Sequence, residues 1–172
     1  DVELENMHAR AIQFGCLTMA MQPSSSVIEA WARAHYEQNS LTISHDVNIR
    51  PALGFDREHE RLRVERINEI SHIIKASDED IEWLYALDTS EAKANNVDQV
   101  ACEWIGDTDR IVLITRGSEG TSVYRRGGRM DVASRKVTVV DTVGAGDTFC
   151  ANILASLQEA DVLGADPFDR LA

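Results

Sequence analysis

Residues 136–157 read KVTVVDTVGAGDTFCANILASL. The β-branched run Val137, Thr138, Val139 and Val140 predicts a strand over 136–141. Gly144 and Gly146 lie in the short turn that follows. A helix is expected at once, over 146–160, with Phe149, Ile153, Leu154 and Leu157 as its packed stripe. Small residues in succession let backbone N–H groups converge on one concavity. The helix start adds amides without intrahelical partners and the positive end of its dipole. Such a strand–turn–helix suits a phosphate or a developing oxyanion. Asp147 falls in the first helical turn, where a carboxylate would repel an anion. Its place there makes sense if it accepts a proton from a hydroxyl attacking phosphorus. The spacing alone fits equally a tight turn with an acidic helix start.

Two other phosphate motifs fit less well. A dinucleotide fingerprint GxGxxG would need a third glycine where Phe149 stands, which denies close helix–strand packing. Asp166, about 20 residues on, sits in a proline-containing loop rather than at a strand end. No GxxxxGK[ST] loop occurs.

Outward from this segment, short apolar runs alternate with charged helical stretches. Strands are expected at 11–17, 41–48, 72–76 and 111–115. Helices are expected at 26–39, 57–71, 78–85 and 97–105. Ser77 caps the third of these helices, and Asp78, Glu79 and Asp80 fill its first turn. Val64, Ile67 and Ile70 form the inner stripe of helix 57–71, whereas Glu58, His59 and Glu60 read as a wet face. Residues 121–125 and 129–133 flank Gly127-Gly128 and predict a β-hairpin. The tail, 163–172, reads as irregular. About five strand–helix alternations imply an α/β fold: a mostly parallel sheet with helices on both faces.

The bulk numbers narrow the classes. The 172 residues suffice for one domain with a real core. A net charge of -12 disfavours nucleic-acid and anionic-membrane partners. Three cysteines, Cys16, Cys102 and Cys150, have no CxxC pair, so we expect buried free thiols in a reducing cytoplasm. The five histidines have no metal-ligand spacing. Trp31, Trp83 and Trp104 lie at helical core spacing. The acidic start DVELENMHAR does not read as a signal peptide, and no run reaches the ~20 apolar residues of a membrane helix.

DTVGAGDTF, at 141–149, resembles the C-terminal signature of the ribokinase (PfkB) family of carbohydrate kinases. Three more segments follow in the family's order. Residues 46–51 (DVNIRP) resemble the DxNxRP segment of its fructokinase and 2-keto-3-deoxygluconate kinase branch. Residues 75–80 (KASDED) resemble K-x-S-x-x-E/D, and 115–120 (TRGSEG) resemble the nucleotide-binding T-x-G-x-x-G. The resemblance covers the chain from about residue 11 onward.

The resemblance implies a ribokinase-like three-layer α/β/α fold and transfer of the γ-phosphoryl group of ATP, with Mg2+, to a sugar hydroxyl. Asp147 would be the catalytic base, and the amides of Gly144, Ala145 and Gly146 the anion hole. Ser77 and Asp80 would lie near the ATP phosphates and a water-held magnesium. Thr115, Gly117, Glu119 and Gly120 would form the nucleotide groove. Asn48 and Arg50 would approach the phosphates or the sugar. Asp141 and the carbonyl of Val143 would belong to a monovalent-cation site, for example for K+. The sugar would be fructose-like, or the sugar acid of the second branch. A nucleotide-binding protein without turnover is the remaining alternative. Against the family's pattern, the chain lacks the N-terminal substrate and lid region, through which relatives dimerise, and the C-terminal end. The expectation is one partial nucleotide-binding domain, residues 1–172.

Overall fold

A computed structural model describes residues 9–87, 90–138 and 141–172. The elements run β1 (Ala11–Gly15), α1 (Cys16–Ala20), α2 (Ser24–Glu37), β2 (Thr42–Asp46), α3 (Arg57–Asn68), β3 (Ile73–Ser77) and α4 (Asp78–Tyr85). They continue with α5 (Ser90–Ile105), β4 (Ile111–Thr115), β5 (Thr121–Arg125), β6 (Gly128–Val132), α6 (Ala145–Glu159) and α7 (Pro167–Leu171).

The six strands form one sheet in the order β1-β2-β3-β4-β5-β6. The first four are parallel, and β4-β5-β6 are antiparallel. The expected α/β architecture and its hairpin are both present. Parallel neighbours need helical crossovers, and α2, α3 and α4–α5 supply them. Alternate strand residues point to opposite faces. Ile43, Ile74, Val112 and Ile114 face α2–α5 and are fully buried with Val64, Ile67 and Ile81. Ile73 and Leu113 face the other way, toward Phe149, Ile153, Leu154 and Leu157 of α6.

Local sequence explains several boundaries. Ser77 and Asp80 form a reciprocal capping box, which ends β3 and starts α4 without a loop. Asp56 caps α3 by accepting from the His59 amide at 2.8 Å. β1 stops at Gly15, where an added Cβ would lie 1.9 Å from the Asp46 carbonyl oxygen. The close approach of β1 and β2 thus requires glycine.

Four local expectations are corrected. Residues 136–138 are irregular rather than strand, and Val139 and Val140 lie outside the described residues. Val137 is exposed, so the β-branched run has no burial to hold it in a sheet. The tail is not irregular: Pro167 opens α7, and the tail docks through Asp166 N–H to Asn39 O at 2.8 Å and Gly164 N–H to Thr42 Oγ1 at 3.0 Å. Glu60 is not on a wet face but buried, and it holds Arg63 through two hydrogen bonds of 3.1 and 2.6 Å. Cys102 is exposed, whereas Cys150 is buried as expected. Trp104 lies in the core, with Trp83 and Trp31 packed at its margins. Among the described residues, no helix is long and apolar enough to cross a membrane.

Candidate functional site

Strands β2, β3 and β4 end at Asp46, Ser77 and Thr115, and the candidate site lies beyond these C-terminal ends. Open parallel sheets bind ligands at that edge. β3 and β4 run in register, so Ser77 sits directly beside Thr115.

After β4 the chain makes a tight turn. The Arg116 amide donates to Gly120 O at 2.8 Å, and the Glu119 amide donates back to Arg116 O at 3.0 Å. Gly117 has φ +51° and Gly120 φ +109°. A Cβ on Gly120 would lie 2.1 Å from Val132 O, so the turn presses backbone against backbone at the end of β6. The other half of the site is the start of α6. Gly144 enters it with φ +76°, and Asp141 steadies the approach by accepting from the Val143 amide at 2.9 Å. Asp147 is exposed in the first turn of α6.

These two halves share one cleft of about 300 Å³, lined by Thr115, Gly117, Gly120, Ser134, Ala145 and Gly146 among others. An adjoining, wider opening of about 800 Å³ is lined by Asp141, Val143, Gly144, Ala145 and Asn152. The sequence-expected residues 115, 117, 120 and 144–146 therefore converge. Asp147 stands at the helix start beside the cleft without lining it, and Glu119 is exposed on the turn.

Asn48 and Arg50 are not brought into this cleft. They line a separate small crevice with Leu17, Phe55 and Arg63. Arg50 folds back onto Asn48, donating to its Oδ1. Asp80 connects this segment to the site. One of its oxygens accepts from the Ile49 amide at 2.8 Å, and the other accepts from the Ser77 amide at 2.8 Å. Both carboxylate oxygens thus hold backbone. Among the described residues, no three His, Cys, Asp or Glu side chains converge as a metal cluster would require.

Lys75 reads in the sequence as an exposed strand-end lysine, and the structure corrects this: it is buried. Its side chain and that of Asp46 are only 7% and 6% exposed and pair at 3.0 Å. A Cβ on Gly146 would lie 3.1 Å from Lys75 Nζ and 3.8 Å from Asp46 Oδ2. The start of α6 therefore rests on a buried ion pair, and glycine permits the contact. Burial pushes the Asp46 carboxyl above its ordinary value, against the lowering effect of the Lys75 charge. Cys150, one turn further on, faces the same carboxylate at 3.7 Å. Burial and that negative neighbour push its thiol up to about 12, which keeps it protonated and unreactive at neutral pH. The signal for Lys75 was a lone charge inside the apolar run IIKAS, with Asp46 at the end of the neighbouring strand.

The family model described as "pfkB family carbohydrate kinase" matches residues 8–166. The chain belongs to the pfkB family of carbohydrate kinases. A fructokinase from Rhizobium leguminosarum bv. trifolii is 39% identical over 153 residues, which is 89% of this chain and 44% of that protein. Fructokinase-1 from Oryza sativa subsp. japonica is 32% identical over 146 residues, 85% of this chain and 43% of that one. This pfkB-family chain thus spans under half the length of the curated relatives it matches. Among solved structures, fructokinase from Vibrio cholerae O395, bound to fructose, ADP and calcium, superposes with a TM-score of 0.67 at 23% identity. That match covers 84% of this chain and 44% of the other. A sugar kinase from Pyrococcus horikoshii in complex with ATP gives a TM-score of 0.65 at 26% identity, covering 86% and 43%. The ribokinase-like fold is therefore shared.

Proposed function

We propose that this chain forms the nucleotide-binding domain of an ATP-dependent sugar kinase and carries its catalytic base, Asp147. The observation that carries this reading is the single cleft between the 115–120 turn and the start of α6, with Asp147 beside it. The polyphosphate lies in that cleft, and the turn at Thr115, Gly117 and Gly120 borders the nucleotide. The amides of Gly144, Ala145 and Gly146 donate to the oxygens of the transferring phosphoryl group. One preorganised donor of this kind contributes about 2.7–4 kcal/mol, because it meets charge that develops only in the transition state. Asp147 accepts the proton of the attacking hydroxyl and thereby raises its nucleophilicity.

Asp80 acts through backbone in this reading. It ties segment 48–50 to the capped start of α4, so the Asn48–Arg50 loop and the phosphate cleft hold a fixed relation. A magnesium ion would be brought by the nucleotide's own phosphates, as suits a cation that keeps most of its water. Asp141 and the Val143 carbonyl are hard oxygen donors of the type a monovalent cation takes, and such an ion would supply positive charge beside the anion hole.

The acceptor we favour is fructose or a close analogue, because the 39% and 32% identical relatives are both named fructokinases. The test is Asp147→Asn in the native-length protein, assayed with fructose and with 2-keto-3-deoxygluconate. Turnover on the preferred sugar should fall by at least ~10²-fold while ATP binding is retained. Near-normal turnover would remove Asp147 from the chemistry. Preference for the sugar acid would replace fructose as the acceptor.

A further inference from the structure

Behind the 116–120 turn, on the α5 face of the sheet, five side chains form a closed ring. Arg116 donates through Nη2 to Asp98 Oδ1 at 3.0 Å and through Nε to Ser122 Oγ at 3.1 Å. Ser122 donates to Asp131 Oδ1 at 2.7 Å. Arg129 donates to the same oxygen at 2.8 Å and closes the ring on Asp98 Oδ2 at 2.6 Å. Tyr124 lies inside it: its hydroxyl accepts from Arg116 at 3.0 Å and donates to Asp98. The guanidinium of Arg129 stacks over the Tyr124 ring, 5.4 Å from its centre. Two arginines and two aspartates make the ring neutral, and it joins α5, the turn, β5 and β6.

The ring grips the turn at the residue where it begins. The backbone of Arg116 makes both closing hydrogen bonds, to Gly120 and from Glu119. Its side chain is locked to Asp98, Ser122 and Tyr124 at the same time. The far end of the turn, Gly120, presses on Val132, the neighbour of ring member Asp131. The Gly120 end of the turn thus packs on β6, and the Arg116 end reaches β6 through Ser122 and Asp131. Only a planar guanidinium presents Nε and Nη2 donors in the fixed fork this needs.

We propose that Arg116, held by Asp98, is a positioning residue for the nucleotide. The ring fixes the conformation in which the turn faces the cleft. This inference rests on the nucleotide reading of that cleft. A purely structural role predicts something different. Asp98 is 36% exposed and Arg116 15%, so removing only the Asp98 charge touches the more exposed partner of the pair. Removing that charge should therefore loosen the turn locally at small global cost, whereas removing the Arg116 donors also takes one hydrogen bond each from the buried Ser122 and Tyr124 hydroxyls.

The experiment is calorimetric titration of MgATP and MgADP into the full chain, alongside amide hydrogen exchange. Asp98→Asn, Arg116→Lys and Arg116→Met are compared with Arg66→Met, which breaks an ion pair to Glu29 far from the turn. We expect nucleotide affinity to weaken about tenfold in the first three and not in Arg66→Met. Amides 117–120 should exchange faster in the first three, with a melting temperature shift of about 2 °C or less in Asp98→Asn. Should Arg116→Met fail to fold, Asp98→Asn, which preserves size, still decides. Unchanged affinity in Asp98→Asn, with normal binding by the parent chain, would overturn the positioning role alone. No nucleotide binding by the parent chain would overturn the cleft reading, and this inference with it.

Discussion

At the scale of single residues, the most consequential contact is that of Lys75 and Asp46 beneath Gly146. A buried ion pair is weak evidence for net stability, but breaking one leaves an uncompensated charge. Lys75→Met should therefore cost about 3–5 kcal/mol at neutral pH, measured by urea unfolding. Adding Asp46→Asn should recover part of that loss. A single variant as stable as the parent would show that the pair is not closed in solution. Two histidines make a second prediction. Burial lowers both His45 and His72 from 6.5 to about 4. Nδ1 of His72 accepts from the Ile43 amide at 3.0 Å, so protonation there breaks a strand-anchoring bond. The unfolded chain takes up these protons near pH 6.5, whereas the folded chain resists until about pH 4. The stabilisation is complete above pH 6.5 and is lost as pH falls toward 4, by up to about 3 kcal/mol for each histidine. Asp46, with its raised value, works in the opposite sense: its contribution is present below 3.8 and is lost as pH rises through the folded value. Urea unfolding at intervals from pH 8 to 4 checks the sum. A flat profile between 6.5 and 5 would contradict it, and His72→Asn should flatten it in part.

At the scale of elements, the candidate site is two backbone devices, the turn after β4 and the start of α6, which rests over Lys75 of β3 and Asp46 of β2. The turn tests this directly. Gly120→Ala places a Cβ against Val132 O and forces a side chain into a left-handed backbone, so it should destabilise by at least ~1–3 kcal/mol and weaken nucleotide affinity. A thermal melt with and without MgADP reads both effects, and an unaffected variant would mean the turn is placed differently. The sequence carried these devices well. Ser77 announced the cap of α4, though not the reciprocal bond from Asp80, and the glycines at 144 and 146 announced the turn. The side-chain chemistry behind them was not legible. The Lys75–Asp46 pair and the Asp98–Arg116 ring join residues 29 and 18 positions apart, and only the parallel register and the hairpin bring them together. Residues 136–138 misled because β-branching marks strand preference but not a sheet edge to join. The tail misled because Gly164 and Pro167 read as breakers, while tertiary contacts to Thr42 and Asn39 order it.

At the scale of the whole molecule, charge and shape pull in different directions. The chain carries a net charge of -12, yet its proposed ligand is a polyanion. Long-range attraction cannot gather that ligand, so binding must rest on local amides, the dipole of α6 and the cation the nucleotide brings. The sheet's two faces are also unequal. Helices α2–α5 cover one, whereas α6 and the docked tail cover the other, and Cys150 is the one buried residue of α6. The helix that carries the proposed anion hole and Asp147 is thus held at its start over Lys75 and Asp46, and further along through Phe149, Ile153, Leu154 and Leu157. The most direct test is a titration of the isotopically labelled chain with MgATP, followed by backbone amide chemical shifts. Gly144, Ala145 and Gly146 should shift together with Thr115, Gly117 and Gly120, along one saturating curve. Shifts confined to another surface, or none at saturating nucleotide, would contradict it.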